Sequence, residues 1–254
     1  MQKTVFITGS TSGIGRACAE KFAKNGFRII LNGRREERLN QFSDYLSTTY
    51  STEVFNLVFD VRNKKQVYAA IESLPETWQK IDILINNAGL ALGLSNIDSG
   101  LEEDWEQMID TNVKGLLYVS KAVMKDMVGR KNGHIINIGS IAGRQTYLKG
   151  NVYCATKHAV ESITEAMRME LVDDNIKVTL LSPGAVKTEF SEVRFRGDKE
   201  KAEKVYEGFQ PLNPEDIAEC ALFCVNLPEH VNVNDMLIMP SAQANATIFN
   251  KINP

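Results

Sequence analysis

The feature that most constrains the fold is an alternation of two patterns along the whole chain. Short apolar runs rich in β-branched residues occur seven times, at residues 4–8, 28–31, 54–59, 81–85, 134–138, 177–181 and 236–239. The segments between them carry apolar residues at helical spacing, as in the series Ala155, Ala159, Ile163, Met167 and Leu171. Strands that alternate with helices form βαβ units, so the strands are expected to be parallel.

The run at 81–85 is apolar on both sides of the pleat, as a strand buried on both faces should be. The alternation therefore predicts an α/β fold: a doubly wound parallel seven-stranded sheet with helices on both faces, in a single domain of residues 1–254. In such sheets, ligands bind beyond the carboxyl ends of the strands, where the strand order reverses. Functional residues are therefore expected directly after the apolar runs.

Composition excludes several classes of protein. The 254 residues are 43% hydrophobic and 24% charged, and the net charge is −3. This balance is that of a globular protein, and it gives no electrostatic attraction to nucleic acid or to anionic membrane. No apolar stretch approaches the ~20 residues of a membrane span. The partner predicted is a small molecule, and the location predicted is the cytoplasm.

Four scattered cysteines indicate a reduced protein without disulfides. Cys220 and Cys224 share one helical face, but His230 is the only other metal ligand near them in the sequence. No metal site is predicted, and the cysteines are interpreted as buried helix positions.

The first run leads into the glycine-rich turn Thr-Gly-Ser-Thr-Ser-Gly-Ile-Gly at residues 8–15. Gly9 allows a tight turn, Gly13 lets the backbone approach a pyrophosphate, and Gly15 lets the following helix pack against the sheet. The N-terminus of that helix offers free N–H groups to phosphates. The turn thus predicts a nucleotide site formed by Gly9, Ser10, Ser12, Gly13, Ile14 and Gly15.

The second run ends at Gly33, where an NAD-binding site would carry an acidic residue for the ribose hydroxyls. Arg34 and Arg35 follow, and a guanidinium pairs well with a 2′-phosphate. The sequence therefore predicts NADP(H) rather than NAD(H). The alternative is that these arginines and Arg38 only line the solvated start of a helix, although cations are unfavourable there.

The third run ends at Asp60 and Val61. Asp60 could accept a hydrogen bond from the adenine amino group, with Val61 offering its backbone. Asp60 could equally cap the helix that begins near Asn63, since Asp is favoured at N-caps. The sequence leaves both roles open.

The fifth run leads to Ser140, and Tyr153 and Lys157 follow on a predicted helix. Tyr153 and Lys157 are four residues apart and share one helical face. A nearby ammonium favours a phenolate and so lowers the pKa of a tyrosine. A tyrosine of lowered pKa can act as general base on an alcohol, while Ser140 holds the substrate oxygen.

These motifs, in this order, resemble the short-chain dehydrogenase/reductase family, whose fold is a Rossmann fold. The resemblance rests on TGxxxGIG, NNAG, YxxxK and PG, and it covers essentially the whole chain. It implies that Tyr153 is the catalytic acid/base, that Lys157 lowers its pKa and binds the nicotinamide ribose, and that Ser140 orients the substrate. It implies that Asn112 holds a water in a proton relay. It adds cofactor contacts at Asn87, Ala88, Gly89, Tyr153, Lys157, Pro183, Gly184, Val186 and Thr188.

The substrate is expected under a mobile lid at about residues 189–210. Arg194 and Arg196 in this lid could bind a carboxylate, and Arg144 and Lys149 are rival cations. The alternative is that all of these are solvated charges. From Thr188 onward the chain resembles the NADP-dependent 3-hydroxy acid dehydrogenases. That resemblance implies oxidation of L-serine, L-allo-threonine or a similar 3-hydroxy acid, with Arg194 on the carboxylate.

Other functions fit the sequence less well. A 3-oxoacyl thioester reductase would need a basic patch for its acidic carrier protein, and the sequence shows no dense one. Another carbonyl or sugar reductase of the same family draws on no feature here. A non-catalytic NADPH-binding regulator is disfavoured because the Ser-Tyr-Lys set is intact. The family implies a homotetramer built on helices near 103–128 and 152–172, and the apolar tail at 242–254 could cross a subunit boundary.

Overall fold

The structure is a computed structural model that describes residues 2–252 of the chain. Within them, one sheet contains seven parallel strands in the order β3-β2-β1-β4-β5-β6-β7. The strands are β1 (Thr4–Ile7), β2 (Arg28–Gly33), β3 (Val54–Val58), β4 (Ile83–Asn86), β5 (Gly133–Ile138), β6 (Ile176–Pro183) and β7 (Asp235–Ile238). Each of the seven predicted runs forms one strand of this sheet.

The α-helices connect these strands. They are α1 (Gly13–Lys24), α2 (Glu36–Tyr50), α3 (Lys64–Glu72), α4 (Glu76–Gln79), α5 (Glu102–Ile109), α6 (Leu116–Arg130), α7 (Asn151–Glu170), α8 (Phe190–Arg194), α9 (Lys199–Lys204) and α10 (Pro214–Asn226). A π-helical segment, Asp110–Gly115, joins α5 to α6, so the two form one interrupted helix. No helix in the described part of the chain combines the length and apolar character needed to span a bilayer.

Helices cover both faces of the sheet. Along β1, Val5 and Ile7 pack into one apolar cluster with α1 and α10, whereas Phe6 packs into a second cluster with α3, α6 and α7. All three side chains are fully buried. Burying a side chain of this size contributes roughly 1.5–3 kcal/mol, so both faces stabilise the sheet. The predicted doubly wound fold, a Rossmann-like parallel sheet, is confirmed.

The strand order reverses at β1, which pairs with β2 on one side and β4 on the other. The chain therefore leaves β1 and β4 toward opposite faces of the sheet, and a crevice opens beyond their carboxyl ends. The glycine-rich turn follows β1, and the Asn-Asn-Ala-Gly segment begins at the end of β4. The topology thus brings two of the predicted motifs to the same crevice.

Buried amides fix the sheet beneath this crevice. Asn86 on β4 donates to Ser120 on α6 and to Asn137 on β5, both at 2.8 Å. Asn137 in turn donates to Thr164 on α7 at 2.9 Å. Buried polar side chains of this kind are costly unless they are paired, so the network specifies one register of strands and helices. It positions α7, which carries Tyr153 and Lys157.

Candidate active site

A cavity of about 630 Å³ occupies the crevice beyond the carboxyl ends of the strands. It extends from Arg34 and Arg35 at one end to Tyr153 and Arg194 at the other. Every predicted catalytic, cofactor and substrate residue lines it, except Ser10, Gly15 and Asn112. The fold thus gathers residues that are widely separated in sequence along one continuous surface.

The glycine-rich turn needs its glycines for two different reasons. Gly9 and Gly13 have φ of +65° and +53°, in the left-handed region that side chains disfavour. Gly15 needs space instead: a Cβ there would lie 2.5 Å from the carbonyl oxygen of Gly9 and would collide with the Asn87 amide. The turn therefore closes tightly and presents the start of α1 to the cavity.

Ser10 and Gly15 have structural roles in this turn. Ser10 is fully buried, donates through Oγ to the carbonyl oxygen of Asn32 and accepts from its N–H, both at 3.0 Å. The hydroxyl of Ser10 therefore anchors the turn to β2, and its contact with the cofactor stays a prediction. Gly15 contributes by letting α1 approach Gly9 rather than by lining the cavity.

The segment after β4 is bound to the glycine-rich turn. Asn87 Nδ2 donates to the carbonyl oxygens of Thr8 and Gly9 at 2.9 and 3.1 Å. Thr8 Oγ1 accepts from the backbone N–H groups of Asn87 and Ala88, both at 3.0 Å. The sequence analysis did not single out Thr8, although its place directly before Gly9 at the strand end was a signal.

The arginines after β2 lie at the exposed end of the cavity. Arg34 Nη1 is 3.7 Å from the Asp60 carboxylate, and the Arg34 side chain is 60% exposed. Arg35 Nη2 donates to Thr11 Oγ1 at 2.8 Å. A Cβ on Gly33 would lie 2.7 Å from Thr11 Cγ2, so no acidic side chain fits there without moving Thr11. Two guanidinium groups therefore face this part of the cavity, and position 33 carries no carboxylate.

Asp60 does not cap the helix after it. Asn63 is the N-cap of α3, and its Oδ1 accepts from the N–H of Gln66 at 3.2 Å. The capping role suggested for Asp60 is therefore wrong. Its carboxylate instead accepts from Arg62, with Nη2 at 2.6 Å. Burial alone would raise the pKa of Asp60, but the hydrogen bonds from Arg62 outweigh burial and lower it. Its contact with adenine stays a prediction.

The buried end of the cavity holds Ser140, Tyr153 and Lys157. Ser140 follows β5, and its Oγ accepts from the N–H of Ala142 at 3.1 Å. Lys157 lies one turn after Tyr153 on α7, and its Nζ donates to the carbonyl oxygen of Ile138 at 2.9 Å. Burial lowers the pKa of Lys157 to about 8, because desolvation penalises the ammonium.

The pKa of Tyr153 departs from the sequence-based expectation. Burial raises it, and the neighbouring Tyr147 adds to the rise, while Ser140 and Arg194 lower it. Lys157 is not among the groups that lower it. The prediction that Lys157 pulls the pKa of Tyr153 down is thus not met in this geometry, because the phenol is desolvated and the ammonium is bound to Ile138.

Asn112 lies in the π-helical segment and is almost fully buried. Its Nδ2 donates to Leu90 O at 2.8 Å and to Thr156 Oγ1 at 3.0 Å, and its Oδ1 accepts from Leu90 N at 2.9 Å. The side chain therefore pins the loop after β4 to α7. The side-chain amide is thus paired with protein at both ends, and the water-holding role of Asn112 stays a prediction.

Arg194, the last residue of α8, reaches into the buried end of the cavity. Its Nε donates to the carbonyl oxygen of Gly93 at 3.2 Å, and its Nη1 donates to the Tyr147 hydroxyl at 2.9 Å. The guanidinium carbon lies 5.7 Å from the centre of the Tyr153 ring. A fixed cation thus stands beside the predicted catalytic tyrosine.

The three rival cations are directed elsewhere. Arg196 Nη2 donates to Asp104 at 2.7 Å, and Arg144 pairs with Asp235 of β7. Lys149 is exposed, and none of the three lines the cavity. Of the four cations considered from the sequence, the geometry brings only Arg194 to the predicted catalytic residues.

The segment predicted as a lid covers this end with apolar side chains. Phe190 packs on Tyr153 with ring centres 5.6 Å apart, and Phe195 and Val205 also line the cavity. The Tyr206 hydroxyl lies 2.8 Å from Ser191 Oγ and donates to the carbonyl oxygen of Val186. The substrate end of the cavity is therefore largely apolar around one fixed cation.

The C-terminal tail packs against its own chain as far as the structure describes it. Phe249 lies 4.8 Å from Phe209, ring centre to ring centre, and Ile252 N–H donates to the carbonyl oxygen of Gly208. Phe249 also lines the cavity, a placement that the sequence analysis missed. Residues 253 and 254 of the predicted boundary-crossing tail lie outside the described residues.

Cys220 is partly buried, and Cys224 is buried; both are free thiols. Among residues 2–252, no three His, Cys, Asp or Glu side chains are grouped as a metal site requires.

A family model described as short chain dehydrogenase matches residues 3–199. The chain belongs to this family. The family prediction is confirmed. The chain is therefore an oxidoreductase of the short-chain dehydrogenase type.

The relatives are similar over nearly their whole length. An "NADP-dependent 3-hydroxy acid dehydrogenase YdfG" of Salmonella typhi is 47% identical, over 94% of this chain and 96% of the relative. An "NADP-dependent 3-hydroxy acid dehydrogenase" of Schizosaccharomyces pombe is 44% identical, over 96% and 95%. The solved "closed form of serine dehydrogenase complexed with NADP+" superimposes with a TM-score of 0.93 at 44% identity, covering 98% of this chain and all of the other.

Proposed function

We propose that this protein is an NADP(H)-dependent dehydrogenase that transfers hydride between the cofactor and the 3-hydroxyl or 3-oxo group of a small 3-hydroxy acid. The observation that carries the proposal is the Arg194 guanidinium in the cavity of Ser140, Tyr153 and Lys157. An acid with a nearby alcohol needs a fixed cation beside the general base, and the cavity supplies both. The names of the relatives agree with this substrate class.

NADP(H) fits the exposed part of the cavity. The left-handed glycines Gly9 and Gly13 leave a cradle beside the start of α1, which suits a pyrophosphate. Arg34 and Arg35 would hold the 2′-phosphate, and the tight approach of Thr11 to Gly33 leaves no room for an acidic residue. The relatives named NADP-dependent and the NADP+ complex confirm the predicted cofactor class. When bound, oxidised NADP accepts the hydride.

The chain's own residues handle the substrate oxygen and its proton. Ser140 holds the hydroxyl in place at the end of β5. Tyr153 removes the proton from the hydroxyl oxygen as hydride leaves the carbon that bears this oxygen, and in the reverse direction it returns a proton to the oxygen. Lys157 keeps a positive charge on the same face of α7 below pH about 8. Phe190 of the lid shields the phenol from water.

Arg194 has donors left for a substrate carboxylate. A guanidinium carries five N–H donors, and the contacts with Gly93 and Tyr147 use two of them. Nη2 has no hydrogen-bond partner among residues 2–252. Two parallel N–H groups can bind a carboxylate in a bidentate way, which favours acids over neutral alcohols.

Steady-state kinetics with 3-hydroxybutyrate and its methyl ester test this role. Arg194→Ala should raise the KM for the acid by about 10- to 100-fold, because a charged hydrogen bond is lost, and should change the KM for the ester little. Arg196→Ala is the matched control, since Arg196 lies in the same lid but is bound to Asp104 outside the cavity. Equal losses for acid and ester in Arg194→Ala would refute carboxylate binding by this residue.

We propose further that the lid at 189–210 is mobile, that the protein is a homotetramer and that it is located in the cytoplasm. Light scattering on the purified protein tests the tetramer. Activity on a 3-oxoacyl thioester, with none on any 3-hydroxy acid, would instead favour the alternative reductase.

A further inference from the structure

Tyr147 lies between the strand that ends before Ser140 and the helix that carries Tyr153, in the connection from residue 144 to residue 150. Its hydroxyl accepts a hydrogen bond from Arg194 Nη1 at 2.9 Å. Its ring centre lies 5.5 Å from the guanidinium carbon. Neither the proposed proton transfer nor the proposed cofactor contacts require this tyrosine, yet it touches the one cation assigned to the substrate.

The position of the Tyr147 ring is fixed by a glycine. A Cβ on Gly150 would collide with ring carbon Cε2 and would lie 2.6 Å from Cζ. The φ of Gly150 is −87°, a conformation open to any residue, so this glycine is needed for space and not for backbone freedom. The ring packs against the start of α7, and its hydroxyl is therefore held where Arg194 donates to it.

The backbone of Arg194 is tied down independently. Gly93 N–H donates to the carbonyl oxygen of Arg194 at 3.0 Å, and Arg194 Nε donates back to the carbonyl oxygen of Gly93 at 3.2 Å. Gly93 has φ of +66°, so the loop reaches this pairing through a left-handed turn. The loop thus holds the base of the side chain, while Tyr147 holds one terminal nitrogen and leaves Nη2 for a ligand.

We propose that Tyr147 is a positioning residue for substrate selection: its hydroxyl orients the Arg194 guanidinium so that a carboxylate and the reacting 3-hydroxyl are bound together. The inference rests on the proposed function, because it assumes that Arg194 binds the carboxylate. Tyr147 acts on the substrate through Arg194 and exchanges no proton with it. Loss of its hydroxyl should therefore weaken the selection of acids without slowing the chemical step.

Tyr147→Phe keeps the ring and removes only the hydroxyl. We expect the KM for 3-hydroxybutyrate to rise about tenfold, as for the loss of one hydrogen bond to a charged group. The KM for its methyl ester and the kcat for both should stay within about twofold. Tyr206→Phe is the matched control, since it removes another lid-side hydroxyl that lines the cavity but does not contact Arg194. It should shift acid and ester alike.

A double-mutant cycle with Arg194→Ala separates this inference from the proposed function. If Tyr147 acts through Arg194, Tyr147→Phe should have no further acid-selective effect in the Arg194→Ala background. A further tenfold rise there would overturn the inference, because Tyr147 would then contact the substrate itself. If the KM for the acid rose selectively in Arg194→Ala but not in Tyr147→Phe, the positioning role of Tyr147 would be overturned. The proposed carboxylate site at Arg194 would stand. No acid-selective loss in Arg194→Ala would overturn the proposed carboxylate site.

Thermal unfolding tests whether the Tyr147 and Gly150 variants are folded. Tyr147→Phe should melt within a few degrees of wild type, because the partly buried ring is retained. Gly150→Ala offers a second route to the same displacement, since a Cβ there pushes the Tyr147 ring aside. It should reproduce the acid-selective rise in KM. A folded Gly150→Ala protein with unchanged preference for the acid over the ester would count against the positioning role.

Discussion

The two ends of the cavity are built in different ways. At the cofactor end, Arg34 and Arg35 are about half exposed, and their ion pairs with Asp60 and Glu189 are long, at 3.7 and 3.8 Å. At the reaction end, Tyr153 and Lys157 are buried, and Arg194 is held by two hydrogen bonds. The cofactor end thus attracts an anion with solvent-exposed charges. The reaction end instead holds its side chains in a fixed geometry away from water.

The largest effect should come from the reaction end. Tyr153→Phe removes the hydroxyl that exchanges the proton, so kcat should fall by about 10²- to 10⁴-fold. The Kd for NADPH, measured by its fluorescence, should change little, because the other predicted cofactor contacts remain. Substantial turnover by a pure, folded Tyr153→Phe protein would show that another group performs the proton transfer.

Lys157 should weaken the fold in a way that the exposed arginines do not. Its pKa is about 8 in the folded protein and 10.5 in a free side chain. Below pH 8 the Lys157 side chain is charged in both the folded and the unfolded protein. The folded protein then bears the full free-energy cost of burying the ammonium. Between pH 8 and 10.5 the unfolded chain binds more protons, so the free energy of unfolding rises with pH. The total rise in the free energy of unfolding over this pH range is about 3 kcal/mol at most.

Urea denaturation of wild type and Lys157→Met from pH 7 to pH 11 measures this contribution. As the pH rises, the free energy of unfolding of wild type should increase relative to that of Lys157→Met. The variant should have lost its activity. Arg34→Ala should leave the unfolding free energy within about 0.5 kcal/mol. A pH-independent difference for Lys157→Met would contradict a depressed pKa at this site.

The cofactor end should show a smaller effect that depends on salt. Arg34→Ala combined with Arg35→Ala should raise the KM for NADPH about 10- to 100-fold and leave the KM for NADH nearly unchanged. In wild type, added salt should weaken NADPH binding more than substrate binding, because these arginines are exposed. Lys24→Ala is a distant surface control on α1. Equal losses for the two cofactors would disprove 2′-phosphate recognition.

The sequence was sufficient for features with a local pattern. Seven apolar runs predicted seven strands, and the spacing of Tyr153 and Lys157 placed both on one face of α7. The sequence also predicted that Arg34 and Arg35 bind the 2′-phosphate of NADP(H), because the absence of an acidic residue at position 33 is visible in it. These features follow from periodicity and from strand ends, which is why no tertiary information was needed.

Side-chain direction and tertiary pairing were beyond the sequence. Ser10 and Ser12 lie in one turn, yet the Ser10 hydroxyl bonds to β2 while Ser12 lines the cavity. Four cations were candidates for the substrate, and only pairing with Asp104 and Asp235 removes Arg196 and Arg144.

The paired amide of Asn112 and the placement of Tyr147 and Phe249 arise from contacts across distant segments. No motif in the sequence records these contacts, so the partners of Asn112 and Tyr147 and the placement of Phe249 in the cavity could not be predicted from it.

The most direct test of the account is the initial rate of NADPH formation by the wild-type protein with NADP+ and 2-, 3- or 4-hydroxybutyrate. Because Arg194 and the Ser140–Tyr153 pair are both fixed, the account predicts that kcat/KM is highest for the 3-hydroxy isomer. It also predicts that NAD+ supports a much lower rate than NADP+. Equal rates for the three isomers, or turnover of neutral alcohols with none of the acids, would contradict the account.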